Sequence, residues 1–213
     1  MSERPRPALP PGPWLVVGLA RSGIAAARAL QERGETVVAV DSGSPSELPE
    51  GLEVHVRSDG LAQLEHARAV VKSPGVPREA PVIEAARSRG VPVLGELELG
   101  WRLLPNEFIA VTGTNGKTTT VQLLGHIHRE AGLAVAVAGN VGDALSGLVG
   151  SLAPEAIVVC ETSSFQLEDA VDFAPEGAVL LNVQPDHLDR HGTFEDYLGA
   201  KLRVFARQGN DDV

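Results

Sequence analysis

Residues 108–120 run Phe108-Ile109-Ala110-Val111-Thr112-Gly113-Thr114-Asn115-Gly116-Lys117-Thr118-Thr119-Thr120 and read as an apolar strand, a glycine–threonine loop and a helix opening at Lys117. A turn of this kind aims several backbone N–H groups at one point at a helix N-terminus. The peptide dipoles favour negative charge there, so the turn makes a pocket for phosphate. Lys117 is placed to reach terminal phosphates as a point charge, and the Thr118 hydroxyl to hold Mg²⁺. The loop departs from the G-x-x-x-x-G-K-[ST] spacing, because Val111 stands at the first glycine position. A tight glycine turn between strand and helix is the plainer alternative.

Working outward, strands are predicted at 133–138, 156–161 and 178–182, and helices at 117–130, 143–149 and from 194 to about 207. Glu161 ends the strand 156–161, at the carboxyl edge where parallel sheets bind ligands, and is placed as a second Mg²⁺ contact or as an exposed strand-end charge. Upstream, short apolar runs at 14–17, 36–40, 53–56, 69–71 and 91–94 alternate with helices predicted at 24–33, where Ser22 is the expected cap, and at 80–89. Such alternation argues for parallel α/β sheets. The expected organisation is a flexible tail (1–13), a Rossmann-like α/β domain (14–95), a connector (96–107) and a P-loop α/β domain (108–213) that stops short of completion.

Composition narrows the function. The chain has 213 residues and a net charge of −10, and its 18 basic residues are 15 Arg and only three Lys (Lys72, Lys117 and Lys201). No basic cluster is visible, which argues against nucleic acid. No apolar run approaches the roughly 18 residues of a membrane helix, and the first 13 residues, with five prolines and no apolar stretch, are expected to be a tail rather than a signal peptide. A single cysteine, Cys160, excludes a disulfide framework and a cysteine-built zinc site. The expectation is a cytoplasmic, monomeric protein.

Two further features carry chemistry. Gly18-Leu19-Ala20-Arg21-Ser22-Gly23 follows the first strand, and Asp41 closes the second, about where a dinucleotide fold places its ribose-binding acid. The pattern invites a nicotinamide dehydrogenase, although tight strand–helix packing explains the two glycines almost as well. In the predicted C-terminal helix, Lys201 falls among Phe194, Tyr197, Leu198 and Phe205 on one apolar stripe. A buried ammonium is costly unless paired or neutralised, so Lys201 either snorkels or has a special role. Just before this helix, the loop 182–191 gathers two Asp, two His and an Arg, with His187 a candidate metal ligand or substrate contact.

Taken together, TGTNGKTTT (112–120), GNVG (139–142), ETSSFQLE (161–168), NVQPDHLDRHG (182–192) and YLGAKLRVF (197–205) resemble the Mur ligase family over almost the whole chain. SSFQLE and the short N-terminal domain are most similar to the branch that adds D-glutamate to UDP-N-acetylmuramoyl-L-alanine. The stretch 182–201 is also similar to the branch that adds the third residue, a diamino acid or lysine. Folylpolyglutamate synthase shares the phosphate loop but lacks this N-terminal domain.

The resemblance implies amide formation through an acyl phosphate: ATP phosphorylates the substrate carboxylate, the amino group attacks, and phosphate leaves. It implies ATP on Thr112, Gly113, Thr114, Asn115, Gly116, Lys117, Thr118 and Thr119. Mg²⁺ would be held by Thr118 and Glu161, and a second metal by His187 and Lys201, the lysine as a CO₂-derived carbamate. Lys117, His187 and Lys201 would be catalytic. The UDP-sugar would meet Gly18, Ser22, Asp41, Ser42 and Ser73 in the first domain, and Asn140, Ser163, Gln166 and His187 in the second. Family members have a third domain that closes over ATP and binds the amino acid. This chain is expected to lack it, and so to bind ligands without joining them. A non-catalytic nucleotide-binding module is the remaining reading.

Overall fold

The computed structural model describes residues 5–213, which form two compact α/β units. Residues 1–4 of the expected tail lie outside the described residues.

The first unit comprises Ala8–Leu103 together with Ala144–Val149. Its elements are β1 (Trp14–Val17), α1 (Arg21–Glu32), β2 (Val37–Asp41), β3 (Glu53–Val56), α2 (Leu61–Leu64), β4 (Ala69–Lys72), α3 (Pro81–Ser88), β5 (Val93–Gly95) and α4 (Glu96–Leu103). Among the described residues these strands make one parallel sheet ordered β3-β2-β1-β4-β5. The order reverses between β1 and β4, and such a switch point opens a crevice at the carboxyl ends of the strands. All four residues of β1 are buried, as befits a central strand covered on both faces. Trp14, Val16, Leu19, Ala26, Ala27 and Leu30 fill one side, and Leu15, Val17, Leu64, Val70 and Ile83 the other.

Ser22 is not the cap of α1. The N-cap is Ala20, in extended backbone with no side-chain bond, and Ser22 sits half-buried in the first turn. Residues 144–149 contain a 3₁₀ turn, Leu145–Leu148, where an α-helix was expected. Its peptides are held from outside: Glu96 Oε1 on α4 accepts from both the Ser146 amide and hydroxyl at 2.8 Å. A Cβ on Gly100 would lie only 2.5 Å from Leu145, so the glycine lets the turn press close to α4. Glu96 is fully buried, and burial raises its carboxyl above the usual range against the opposing Ser146 bonds.

The second unit comprises Leu104–Asp143 and Gly150–Val213, with the described residues up to Pro7. It contains β6 (Phe108–Thr112), α5 (Lys117–Glu130), β7 (Val135–Gly139), β8 (Ile157–Glu161), α6 (Ser164–Leu167), β9 (Gly177–Leu180), α7 (Leu188–His191), α8 (Phe194–Leu202) and a closing 3₁₀ turn, Arg203–Phe205. The parallel sheet runs β7-β8-β6-β9, with Val111 opposite Glu161. Val111, Val121 and Val159 centre the core between sheet and α5. Arg6 donates to the Asn106 carbonyl at 2.7 Å and pairs with Glu176 at 3.3 Å. Val213 lies alongside β9, accepting from the Ala178 amide at 2.7 Å and donating to the Glu176 carbonyl at 3.0 Å.

Candidate functional site

In the second unit β6 ends at buried Thr112, whose hydroxyl donates to the Thr162 carbonyl at 2.9 Å rather than facing the loop. The chain then turns through 113–116. Gly116 caps α5 with φ +86°, a left-handed conformation costly for any residue with a Cβ. The first amides of α5, at Lys117, Thr118 and Thr119, have no intrahelical acceptor, which is the arrangement that favours an anion at a helix start. Those of Thr114 and Asn115 are taken. Thr114 N–H donates to the Asn182 carbonyl, and Asn115 N–H to Asn182 Oδ1, both at 3.0 Å.

Lys117 Nζ donates to the carbonyls of Gly113 (2.8 Å) and Thr114 (3.0 Å), folded back across the loop. Thr118 Oγ1 donates to Glu161 Oε2 at 2.8 Å, and Asn140 Nδ2 to Glu161 Oε1 at 3.0 Å. Glu161 is 1% exposed, so the exposed strand-end reading does not hold. Three residues from β8, α5 and the loop after β7 thus meet as hard oxygen and amide groups. A carboxylate beside a threonine hydroxyl suits Mg²⁺, which keeps further positions for phosphate and water. Among the described residues no group of three or more His, Cys, Asp or Glu gathers for a metal.

Lys201 is 2% exposed, and its ammonium lies inside the fold, so it does not snorkel. The buried face of α8 and the following turn is Tyr197, Ala200, Lys201 and Val204, while Phe194, Leu198 and Phe205 are only half-buried. The helix is rotated from the expected stripe because Tyr197 and Lys201 turn toward the phosphate loop. Lys201 Nζ donates to the Gly113 carbonyl at 2.8 Å and lies 4.6 Å over the Tyr197 ring. Tyr197 Oη shares a 3.0 Å hydrogen bond with Thr114 Oγ1. Two ammonium groups therefore meet at one carbonyl oxygen. Desolvation first, then the Lys117 charge, lowers the Lys201 pKa to about 8, against a smaller upward pull from Asp186.

That depression has a consequence for stability. The unfolded chain binds the lysine proton up to the ordinary value near 10.5, whereas the folded chain releases it from about 8. Stability therefore rises with pH across this window, and the charged form is a cost to the fold below it. Lys201→Met is expected to remove the rise. Urea midpoints at pH 7 to 10 for both chains check it, and parallel pH profiles would refute it.

His187 is exposed, with φ +50° at the N-cap of α7. Its ring lies 4.9 Å from that of Phe165 and 6.4 Å from that of Tyr197. Ser163 and Gln166 are tied to each other: the Ser163 amide donates to Gln166 Oε1 at 3.0 Å, and the Gln166 amide to Ser163 Oγ at 3.3 Å. This is a capping box at α6, legible as S-x-x-Q but missed in the sequence. Asn182, Gln184 and Tyr197, which bind the phosphate loop, were also missed as site residues. The motif NVQPDHLD marked the segment, but only the fold shows which groups meet the loop: the Asn182 side chain and carbonyl, and the Gln184 backbone.

The switch-point crevice of the first unit brings its own set together. Asp41 Oδ2 accepts from the Leu19 amide at 2.6 Å and Oδ1 from the Gly43 amide at 2.7 Å. Ser73 is buried, and its hydroxyl donates to the Gly18 carbonyl at 2.7 Å. Asp41 and Ser73 thus order the loop backbone, while Ser42 is exposed beside Asp41.

Residues 111–213 match the Mur ligase middle domain and residues 13–95 the MurD-like N-terminal domain of Mur ligases. The chain belongs to the Mur ligase family. It is 44% identical over 206 residues to a UDP-N-acetylmuramoylalanine--D-glutamate ligase from Pelotomaculum thermopropionicum, and 44% identical over 207 residues to another from Acidobacterium capsulatum. Each match covers 93% of this chain and 45% of the relative, so the chain spans about half the length of these curated relatives. The fold is shared with a UDP-N-acetylmuramate:L-alanyl-gamma-D-glutamyl-meso-diaminopimelate ligase from Neisseria meningitides, at 21% identity and a TM-score of 0.62 over 93% of this chain and 69% of that one.

Proposed function

We propose that these residues form the ATP- and UDP-sugar-binding part of a cytoplasmic ligase that adds D-glutamate to UDP-N-acetylmuramoyl-L-alanine. The observation that carries the reading is the convergence of Lys117, Lys201, Thr118, Glu161 and Asn140 around one phosphate loop. The names of the relatives favour D-glutamate over the third-residue ligases. A nicotinamide oxidoreductase leaves this cluster without a task.

ATP and Mg²⁺, when bound, supply phosphoryl transfer to the substrate carboxylate. The helix amides at 117–119 and Lys117 hold the phosphates and neutralise charge that develops on them. Thr118 and Glu161 hold the cation, and Asn140 orients the carboxylate. Lys201 is proposed to be carbamylated in the loaded protein: a pKa of about 8 leaves a fraction of neutral amine able to take up CO₂. As a carbamate it would offer oxygens to a second metal, for which His187 would be the other ligand. Asp41, Ser73, Ser42 and Ser22 would shape the uridine diphosphate loop in the first unit, and Asn140, Ser163, Gln166 and His187 would serve the rest of the substrate. Because the relatives are about twice as long, ligation is expected to need their remaining residues to close the site against water.

Calorimetry with UDP-N-acetylmuramoyl-L-alanine, MgATP and NADH separates the readings. Both of the first two ligands are expected to bind and NADH not. Asp41→Asn is expected to weaken the UDP-sugar about tenfold, since a neutral acceptor holds the Leu19 and Gly43 amides less well than a carboxylate. NADH binding without UDP-sugar binding would overturn the proposal.

A further inference from the structure

His187 stands on weak local footing. The helix it caps, α7, has four residues, far fewer than a helix needs to hold itself in water. Its own φ of +50° is unfavourable for a residue with a Cβ, and His187, Leu188 and Asp189 are all exposed. Tyr197 of α8 lies beside both histidine rings and Asp186 accepts from the His187 amide, but the charged ties of this turn come from the residue after α6. Glu168, 7% exposed, accepts from Arg190 Nη2 through Oε1 at 2.9 Å, while its Oε2 faces His191 Nδ1 at 3.8 Å. His191 Nε2 also shares a 3.0 Å hydrogen bond with Ser164 Oγ. The Phe165 ring is gripped by the same residues: Arg190 lies 4.4 Å over it, His191 stacks at 5.3 Å and 13°, and His187 contacts it at 4.9 Å.

We propose that Glu168 is a positioning residue: by tying Arg190 and His191, the last two residues of α7, to α6, it sets where His187 at the other end of that single turn presents its ring. The proposal rests on the ligase reading only for the ligand that His187 meets. The pair is largely buried, so removing the carboxylate takes away a 2.9 Å charge-assisted bond where water replaces it poorly, and with it a restraint on how Arg190 lies over the Phe165 face. The bond between His191 and Ser164 stays behind and does not reach Arg190.

A double-mutant cycle tests this, because a residue that acts through another loses its effect when the other is gone. Affinity for UDP-N-acetylmuramoyl-L-alanine is measured for the parent chain, Glu168→Ala, His187→Ala and the double variant. Glu168→Ala is expected to weaken binding about tenfold in the parent and less than twofold in the His187→Ala background. An equal loss in both backgrounds would show a merely structural role and overturn the proposal. Should Glu168→Ala fail to fold, Glu168→Gln, which keeps the volume and one acceptor, takes its place in the cycle. The His187 ring-proton resonances, shifted by the Phe165 ring, are read in the same chains without ligand. They are expected to move toward free-histidine values when Glu168 is replaced. If the parent chain binds no UDP-sugar, the ligase reading fails, and the proposal is then decided by these resonances: unchanged signals would refute it.

Discussion

Replacing Lys117 with alanine is expected to weaken MgATP binding about a hundredfold while leaving the unfolding midpoint close to that of the parent chain. In the folded chain Lys117 Nζ binds only two loop carbonyls, those of Gly113 and Thr114, and the residue is half-buried, so water can replace it there. Against phosphate the balance differs. A hydrogen bond between two charged groups is worth about 1.5–3 kcal/mol, and about 2.7 kcal/mol corresponds to a hundredfold. Calorimetry for the nucleotide and thermal unfolding by circular dichroism measure the two effects separately. Unchanged affinity would sink the assigned role, and a collapsed midpoint would make Lys117 structural. The substitution carries a second signature: without the Lys117 charge, one cause of the depressed Lys201 pKa disappears, and that pKa should rise.

Gly23→Ala is expected to destabilise the first unit by about 4 kcal/mol or more, or to prevent its folding. A Cβ there would lie 1.8 Å from the Gly18 carbonyl oxygen and 2.6 Å from Ser73 Oγ, the two atoms already joined by a hydrogen bond. The first contact is with backbone and cannot rotate away. Gly34→Ala is the control: it faces open space, and its φ of +80° costs alanine only about 1–2 kcal/mol. Trp14 and Trp101, the two tryptophans of the chain, both lie in this unit, so urea unfolding followed by tryptophan fluorescence reports on it. Equal losses for the two variants would refute the close-packing account. The same geometry explains why a glycine pattern that reads like a dinucleotide fingerprint need not bind NAD: Gly23 is required by α1 sitting against the turn after β1.

Much of the fold was legible because parallel strands buried on both faces are unbroken apolar runs, such as Trp14–Val17 and Ile157–Glu161, closed by glycine or an acid. The helix at Lys117–Glu130 began where expected, since a glycine loop leaves few other places for it to start. Short elements were not legible. The one-turn helices α2, α6 and α7 have too few residues for a period, and the turn at 145–148 takes its 3₁₀ form against α4, through Glu96 and Gly100. Ser22 looked like a cap because serine prefers that place, yet the chain enters α1 two residues earlier, at Ala20.

For the site, the residue types and their order along the chain were enough to mark a phosphate loop, an acid at the end of the strand that pairs with β6 and a lysine out of place on an apolar helix. Those depend on local chemistry: glycine for backbone freedom, lysine and threonine for phosphate and cation, and a charge that breaks a 3.6-residue pattern. Whether Lys201 reached water or the interior was a tertiary matter. α8 had to rotate so that Tyr197 could meet Thr114 and Lys201 could meet the Gly113 carbonyl, 88 residues away in sequence. Glu168, Arg190 and His191 likewise carry no signal in their spacing, since a buried ion pair forms only once α6 and α7 are packed, when desolvation makes an unpaired charge costly and its partner necessary.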